Sequence, residues 1–118
     1  MSKKVALVTG VGPGTGSSIA RTFSMGGYNV AMIARDENRL KLLENELVGS
    51  KGYVCELRDS KLLDNTITRV IDDYGDPDIF IHNAVRGTRG NFLEFSSEEL
   101  QSNFDINVIA LHLSLIHI

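Results

Sequence analysis

The chain has 118 residues, 42 % of them hydrophobic, enough for one modest domain and no more. A net charge of −3 without any basic run excludes an electrostatic footprint for nucleic acid, and no apolar stretch approaches a membrane span or a signal-peptide core. The single cysteine, Cys55, has no partner for an internal disulfide, which suits a reducing cytoplasmic setting; its reading is a small buried residue on a strand.

Val5-Ala6-Leu7-Val8 predicts a short buried strand. The run Thr9-Gly10-Val11-Gly12-Pro13-Gly14-Thr15-Gly16 then turns the backbone into a helix that starts near Thr15 and places Ile19, Ala20 and Phe23 on one side. A strand, glycine turn and helix in this order aim backbone N–H groups and the positive helix end at one spot, and that spot attracts a phosphate. No Lys follows the glycines, so the run is not a P-loop, and Thr15 stands where the third glycine of G-x-G-x-x-G belongs. The spacing that fits is T-G-x-x-x-G-x-G, with Thr9, Gly10, Gly14 and Gly16 in place.

Gly26-Gly27 stops the first helix, and Tyr28 to Ala34 predicts a second strand. Asp36 caps the next helix, where Leu40, Leu43 and Leu47 recur at helical spacing and Glu37 stands four residues before Lys41. Gly49 to Gly52 ends that helix, and Tyr53 to Leu57 predicts a third strand. Asp59 or Ser60 opens another helix with Leu63, Ile67, Val70 and Ile71 inward; Gly75-Asp76-Pro77 is a turn, and Ile79 to His82 a fourth strand. Arg86 to Phe95 is loop-like, and Ser96-x-x-Glu99 predicts a capping box for a helix holding Leu100, Phe104 and Leu111. Repeated βα units with near-continuous apolar strands imply an α/β domain, or part of one, with a parallel sheet covered by helices on both faces.

With His82-Asn83-Ala84-Val85 after the fourth strand and Asn107 on the last helix, the glycine spacing resembles the short-chain dehydrogenase/reductase family. The family's strand-end motif is Asn-Asn-Ala-Gly; Asn83 and Ala84 match it, while His82 and Val85 depart. The resemblance spans residues 3 to 112, the first half of a family member. It implies a Rossmann-type, doubly wound parallel sheet of about four strands in the order 3-2-1-4, and hydride transfer between a nicotinamide cofactor and a small carbonyl or alcohol substrate. It also implies a homo-oligomeric parent protein.

By that resemblance, Thr9, Gly10, Gly14, Thr15 and Gly16 form the cofactor turn, and Asn83 and Ala84 lie along the cofactor. Glu56-Leu57-Arg58-Asp59 stands where the family has Asp-hydrophobic-x-Asp, so Glu56 and the Leu57 backbone would meet the adenine; Asp59 has an equal reading as a helix cap. Asn107 matches a helix Asn that holds a water linked to the catalytic lysine, whereas His82 is given no catalytic part. At the end of the second strand, where an NAD site has an acid, this chain has Ala34 followed by Arg35. A guanidinium there would pair with a 2′-phosphate, a charge-assisted bond of roughly 1.5–3 kcal/mol that favours NADP over NAD by about ten- to a hundred-fold. The alternative is a solvated Arg35 paired with Asp36 or Glu37.

The family's catalytic Tyr-x-x-x-Lys is absent: four residues after Tyr28, Tyr53 and Tyr74 stand Met32, Leu57 and Asp78. We therefore expect an inactive amino-terminal fragment of an oxidoreductase, with a non-catalytic NAD(P)-sensing protein as the alternative. No metal site is expected. Arg86 and Arg89 would be available to an anionic group beside the substrate. Leu113 to Ile118 reads as the translation of a sequencing-adaptor end, so residues 1–112 are expected to be the native part and 113–118 an adaptor-derived tail. Ile79, Phe80 and Ile81 would then lie on an open, apolar sheet edge that favours association.

Overall fold

The structure, a computed structural model, describes residues 3–85 and 90–117. Strands β1 (Val5–Thr9), β2 (Asn29–Ala34), β3 (Ser50–Val54) and β4 (Ile79–His82) form one parallel sheet in the order β3-β2-β1-β4. Helices α1 (Thr15–Met25), α2 (Glu37–Glu46) and α3 (Ser60–Tyr74) connect them, and α4 (Ser97–Phe104) and α5 (Ala110–Leu115) follow β4. Because β1 is central, all five of its residues are buried; Leu7 lies opposite Ala31 on one side and Phe80 on the other.

The period of two along each strand divides the core. Leu7, Ala31, Ile33 and Tyr53 pack under Leu63, Ile67 and Val70 of α3 and Ala110 of α5. Val8, Val30 and Met32 face the other way, against Ala20 of α1, Leu40 and Leu43 of α2, and Leu47 just beyond it. Helices thus cover both faces, the doubly wound arrangement expected from the alternation. Helix starts are set locally: Asp36 accepts the Arg39 N–H at 3.2 Å, and Asp59 the Leu62 N–H at 3.1 Å. At α4 the Ser96 hydroxyl accepts from Glu99 N–H at 3.1 Å while the Glu99 carboxylate accepts from Ser96 N–H at 3.2 Å, a complete capping box. Each such cap contributes about 1 kcal/mol.

Two expectations change. The third strand begins at Ser50 rather than Tyr53 and ends at Val54, short of Leu57. Only Gly49, at φ 80°, makes the turn out of α2; Ser50 already pairs with Val30, and Gly52 sits within the strand opposite Met32. A Cβ on Gly52 would stand 2.6 Å from the Leu40 Cβ, so this glycine marks close packing of α2 on β3 rather than a loop. The last helix is also interrupted. After α4 comes a π-helical turn, Asp105–Ile109, before α5 resumes, and Leu100 and Phe104 are 52 % and 51 % exposed.

Candidate functional site

The carboxyl ends of the strands converge on a cleft of about 650 Å³, lined by Gly10–Pro13, Ile33–Asp36, Cys55–Leu57, Asn83–Val85 and Ile106. It lies where the strand order reverses between β1 and β4, the place where open α/β sheets bind their ligands, and its volume suits a small-molecule site.

One wall is the turn between β1 and α1. Gly10 has φ 70°, and a Cβ there would stand 2.5 Å from the Ala84 backbone nitrogen; a Cβ on Gly16 would collide with the Gly10 carbonyl. These two glycines let β1, β4 and α1 approach one another. A Cβ on Gly12 or Gly14 meets nothing within 4 Å, so protein packing leaves open space before these two positions. Gly14 supplies no side-chain cap to α1 and no acid stands in the helix's first turn, so the N-terminal N–H groups keep their attraction for an outside anion. The turn is held from behind by the Asn83 side-chain amide, which donates to the Gly10 carbonyl at 3.1 Å, and by the Ser17 hydroxyl, which donates to the Gly12 carbonyl.

The opposite wall carries charge. Arg35 projects from the end of β2 with its side chain 70 % exposed, and its guanidinium lies 3.6 Å from the Glu56 carboxylate. Asp36 caps α2 and Glu37 pairs with Lys41 at 3.2 Å, so Arg35 meets Glu56 and neither of the two acids considered from the sequence. The other Glu56 oxygen accepts from Arg58 Nε at 3.0 Å and from the Arg58 N–H at 3.3 Å. Partial burial pushes the Glu56 carboxyl up, but the Arg58 hydrogen bonds and the charges of Arg58 and Arg35 outweigh it and hold the group below its ordinary value. At the floor, burial pushes the Cys55 thiol up, which keeps it in its inert form.

Behind the cleft a hydrogen-bonded chain joins three elements. The Ala84 N–H donates to Thr9 Oγ1 at 3.3 Å, and Thr9 Oγ1 lies 3.0 Å from His82 Nδ1. His82 Nε2 lies 2.9 Å from the Ile106 carbonyl, which can only accept, so Nε2 carries the proton; Nδ1 then accepts from the Thr9 hydroxyl. The π turn makes this possible: the Ala110 N–H goes to the Asp105 carbonyl, five residues back, and not to Ile106 as in an α-helix.

The structure brings Gly10, Arg35, Glu56, Leu57, Asn83 and Ala84 together at the cleft. Thr9 is fully buried behind it; Gly16 is buried at the start of α1, beside the exposed Gly14 and Thr15. Asn107 is half-buried on the π turn, next to Ile106, and does not itself line the cleft. Val85 does line it, 79 % exposed. Arg86 and Arg89 lie outside the described residues. Sequence reasoning missed the roles of Arg58 and Ile106. A cation between two acids, Glu56 and Asp59, is a faint signal for the first; the second has none, since a backbone carbonyl carries no sequence mark.

Comparison with known proteins agrees with this geometry. The family model described as short chain dehydrogenase matches residues 4–115. The chain belongs to the short-chain dehydrogenase family. Among curated family members, it is 36 % identical over 106 residues to a probable 2,4-dienoyl-CoA reductase of Caenorhabditis elegans, covering 85 % of this chain and 33 % of that protein. It is 31 % identical over 113 residues to oxidoreductase UcpA of Salmonella typhimurium, covering 92 % of this chain and 42 % of the relative. A metagenomic short-chain oxidoreductase solved in complex with NADP superposes with a TM-score of 0.91 at 30 % identity, over 99 % of this chain and 55 % of that one. A variant of actinorhodin polyketide ketoreductase with NADPH superposes at 0.90 and 28 % identity, over 99 % and 48 %. The chain thus spans between a third and a little over half the length of these relatives.

Proposed function

We propose that this chain is the dinucleotide-binding part of an NADP(H)-linked oxidoreductase. The observation that carries the reading is Arg35, exposed at the mouth of a glycine-walled cleft while the neighbouring acids Asp36 and Glu37 are engaged elsewhere. NADP(H)-bound neighbours with the same architecture support it.

In this reading Gly12, Gly14 and the first turn of α1 hold the pyrophosphate, and Thr15 stands beside it. Arg35 binds the 2′-phosphate, and Glu56 and Leu57 stand along the adenosine end. Asn83 and Ala84 fix the path of the β4 loop, Asn83 through its bond to Gly10 and Ala84 through its bond to Thr9. When bound, the nicotinamide would supply the hydride acceptor or donor for a carbonyl or alcohol. Asn107 would serve the site from the π turn. The chain has no Tyr-x-x-x-Lys, so we propose that it binds cofactor without turning over substrate.

Titration with NADPH and NADH, followed by nicotinamide fluorescence, tests the reading. NADPH should bind about ten- to a hundred-fold tighter, and Arg35→Gln should remove the difference while leaving NADH unchanged. Equal affinity of the native chain for both would refute the NADP assignment; binding of neither would refute the nucleotide site.

A further inference from the structure

We infer that Glu56 sets the strength of the cofactor preference by competing with the 2′-phosphate for Arg35. The inference rests on the nucleotide reading above and concerns a residue whose place in the sequence suggests a different task. Its carboxylate reaches 3.6 Å from the Arg35 guanidinium while its other oxygen takes two bonds from Arg58. Arg58 in turn lies 3.5 Å from the Ser102 hydroxyl on α4, so the acid is held from its far side and kept turned toward the cleft mouth.

The consequence follows from charge. Asp36 and Glu37 each have their own partner, so Glu56 is the acid that faces the free end of Arg35. A phosphate monoester brings between one and two negative charges at neutral pH, and like charges within a few ångströms oppose each other. A 2′-phosphate bound to Arg35 must therefore displace the Glu56 carboxylate or lie beside it. NADH brings no such charge and leaves the Arg35–Glu56 pair intact. Glu56 therefore narrows the difference between the two cofactors.

The test uses the full 118-residue chain, with NADPH and NADH titrated into the native protein, Glu56→Gln, Arg35→Gln and the double variant. Glu56→Gln keeps the length and polarity of the side chain and removes its charge. It should tighten NADPH by roughly two- to five-fold, the range of an exposed ion pair, with NADH changed by less than that. The gain should be clearly smaller in the Arg35→Gln background, where only direct repulsion between the acid and the phosphate remains, and should shrink as salt is raised. A thermal melt of each variant identifies any loss caused by misfolding. Equal weakening of both cofactors by Glu56→Gln would show that the acid serves the adenine and would overturn the inference; so would a gain of the same size without Arg35. If the native chain binds neither cofactor, the nucleotide reading fails first and the inference with it.

Discussion

The chain of bonds from Ala84 through Thr9 and His82 to Ile106 makes a prediction about Thr9 that runs against hydrophobicity. Thr9→Val preserves shape and replaces a hydroxyl in a fully buried position with a methyl group. It orphans two groups, the Ala84 N–H and His82 Nδ1, at 3.3 and 3.0 Å from the lost oxygen. An unsatisfied buried group costs about 1–3 kcal/mol, while the extra buried methyl contributes roughly 1 kcal/mol in the other direction. The net loss centres on about 3 kcal/mol, which at an m-value of about 2 kcal/mol/M lowers a urea midpoint by roughly 1.5 M. Thr9→Ser keeps the hydroxyl and loses one methyl, so it costs about 1 kcal/mol and roughly 0.5 M. Urea unfolding followed by circular dichroism measures both midpoints. A valine variant as stable as the serine variant, or more so, would refute the claim that this hydroxyl bridges β1, β4 and the π turn.

The glycines of the turn separate in the same assay. Gly10→Ala combines a positive φ with a backbone collision and should lose about 2–4 kcal/mol, whereas Gly12→Ala should leave stability nearly unchanged and weaken NADPH binding; equal stability of the two would contradict the packing described. Asp73 is held below its ordinary value by hydrogen bonds from Lys51 at 2.8 Å and Tyr53 at 2.6 Å. The unfolded chain therefore binds more protons between the two values, so this contribution is present above the unfolded pKa and is lost as pH falls through the folded one. Asp73→Asn should flatten the acid limb of the stability curve, and an unchanged limb would argue against the pairing. Leu100, Phe104 and Val108 are exposed along one stretch, and β4 ends the sheet among the described residues. The chain should therefore associate as its concentration rises; sedimentation of a monomer at all concentrations would count against that.

What could be foreseen and what could not divides along the range of the interactions. Asp36, Asp59 and the Ser96–Glu99 box cap their helices through contacts three residues away, and such contacts are visible in a sequence. The two faces of the sheet follow from alternation alone, because Leu7 and Val8 cannot point the same way. The start of β3 escaped because Ser50, Lys51 and Gly52 have poor strand character and are drawn into the sheet by pairing with Val30, Ala31 and Met32. The site divides similarly. Its glycine turn is local, but the Arg35–Glu56 pair joins the ends of two strands, and the bond from His82 to Ile106 spans 24 positions.

The π turn also acts as a phase dislocation in the last helix. One residue added to a turn rotates everything beyond it by about 100° relative to an unbroken α-helix. On a straight helical wheel Leu100, Phe104 and Leu111 would share one stripe, and that stripe would have to choose between the sheet and the outside. With the dislocation in place, the two segments answer to different surroundings. Leu100 and Phe104 look outward, while Ala110 and Ser114 are fully buried and Leu113 packs on the core beneath α3. A single extra residue thus gives one continuous helix two addresses.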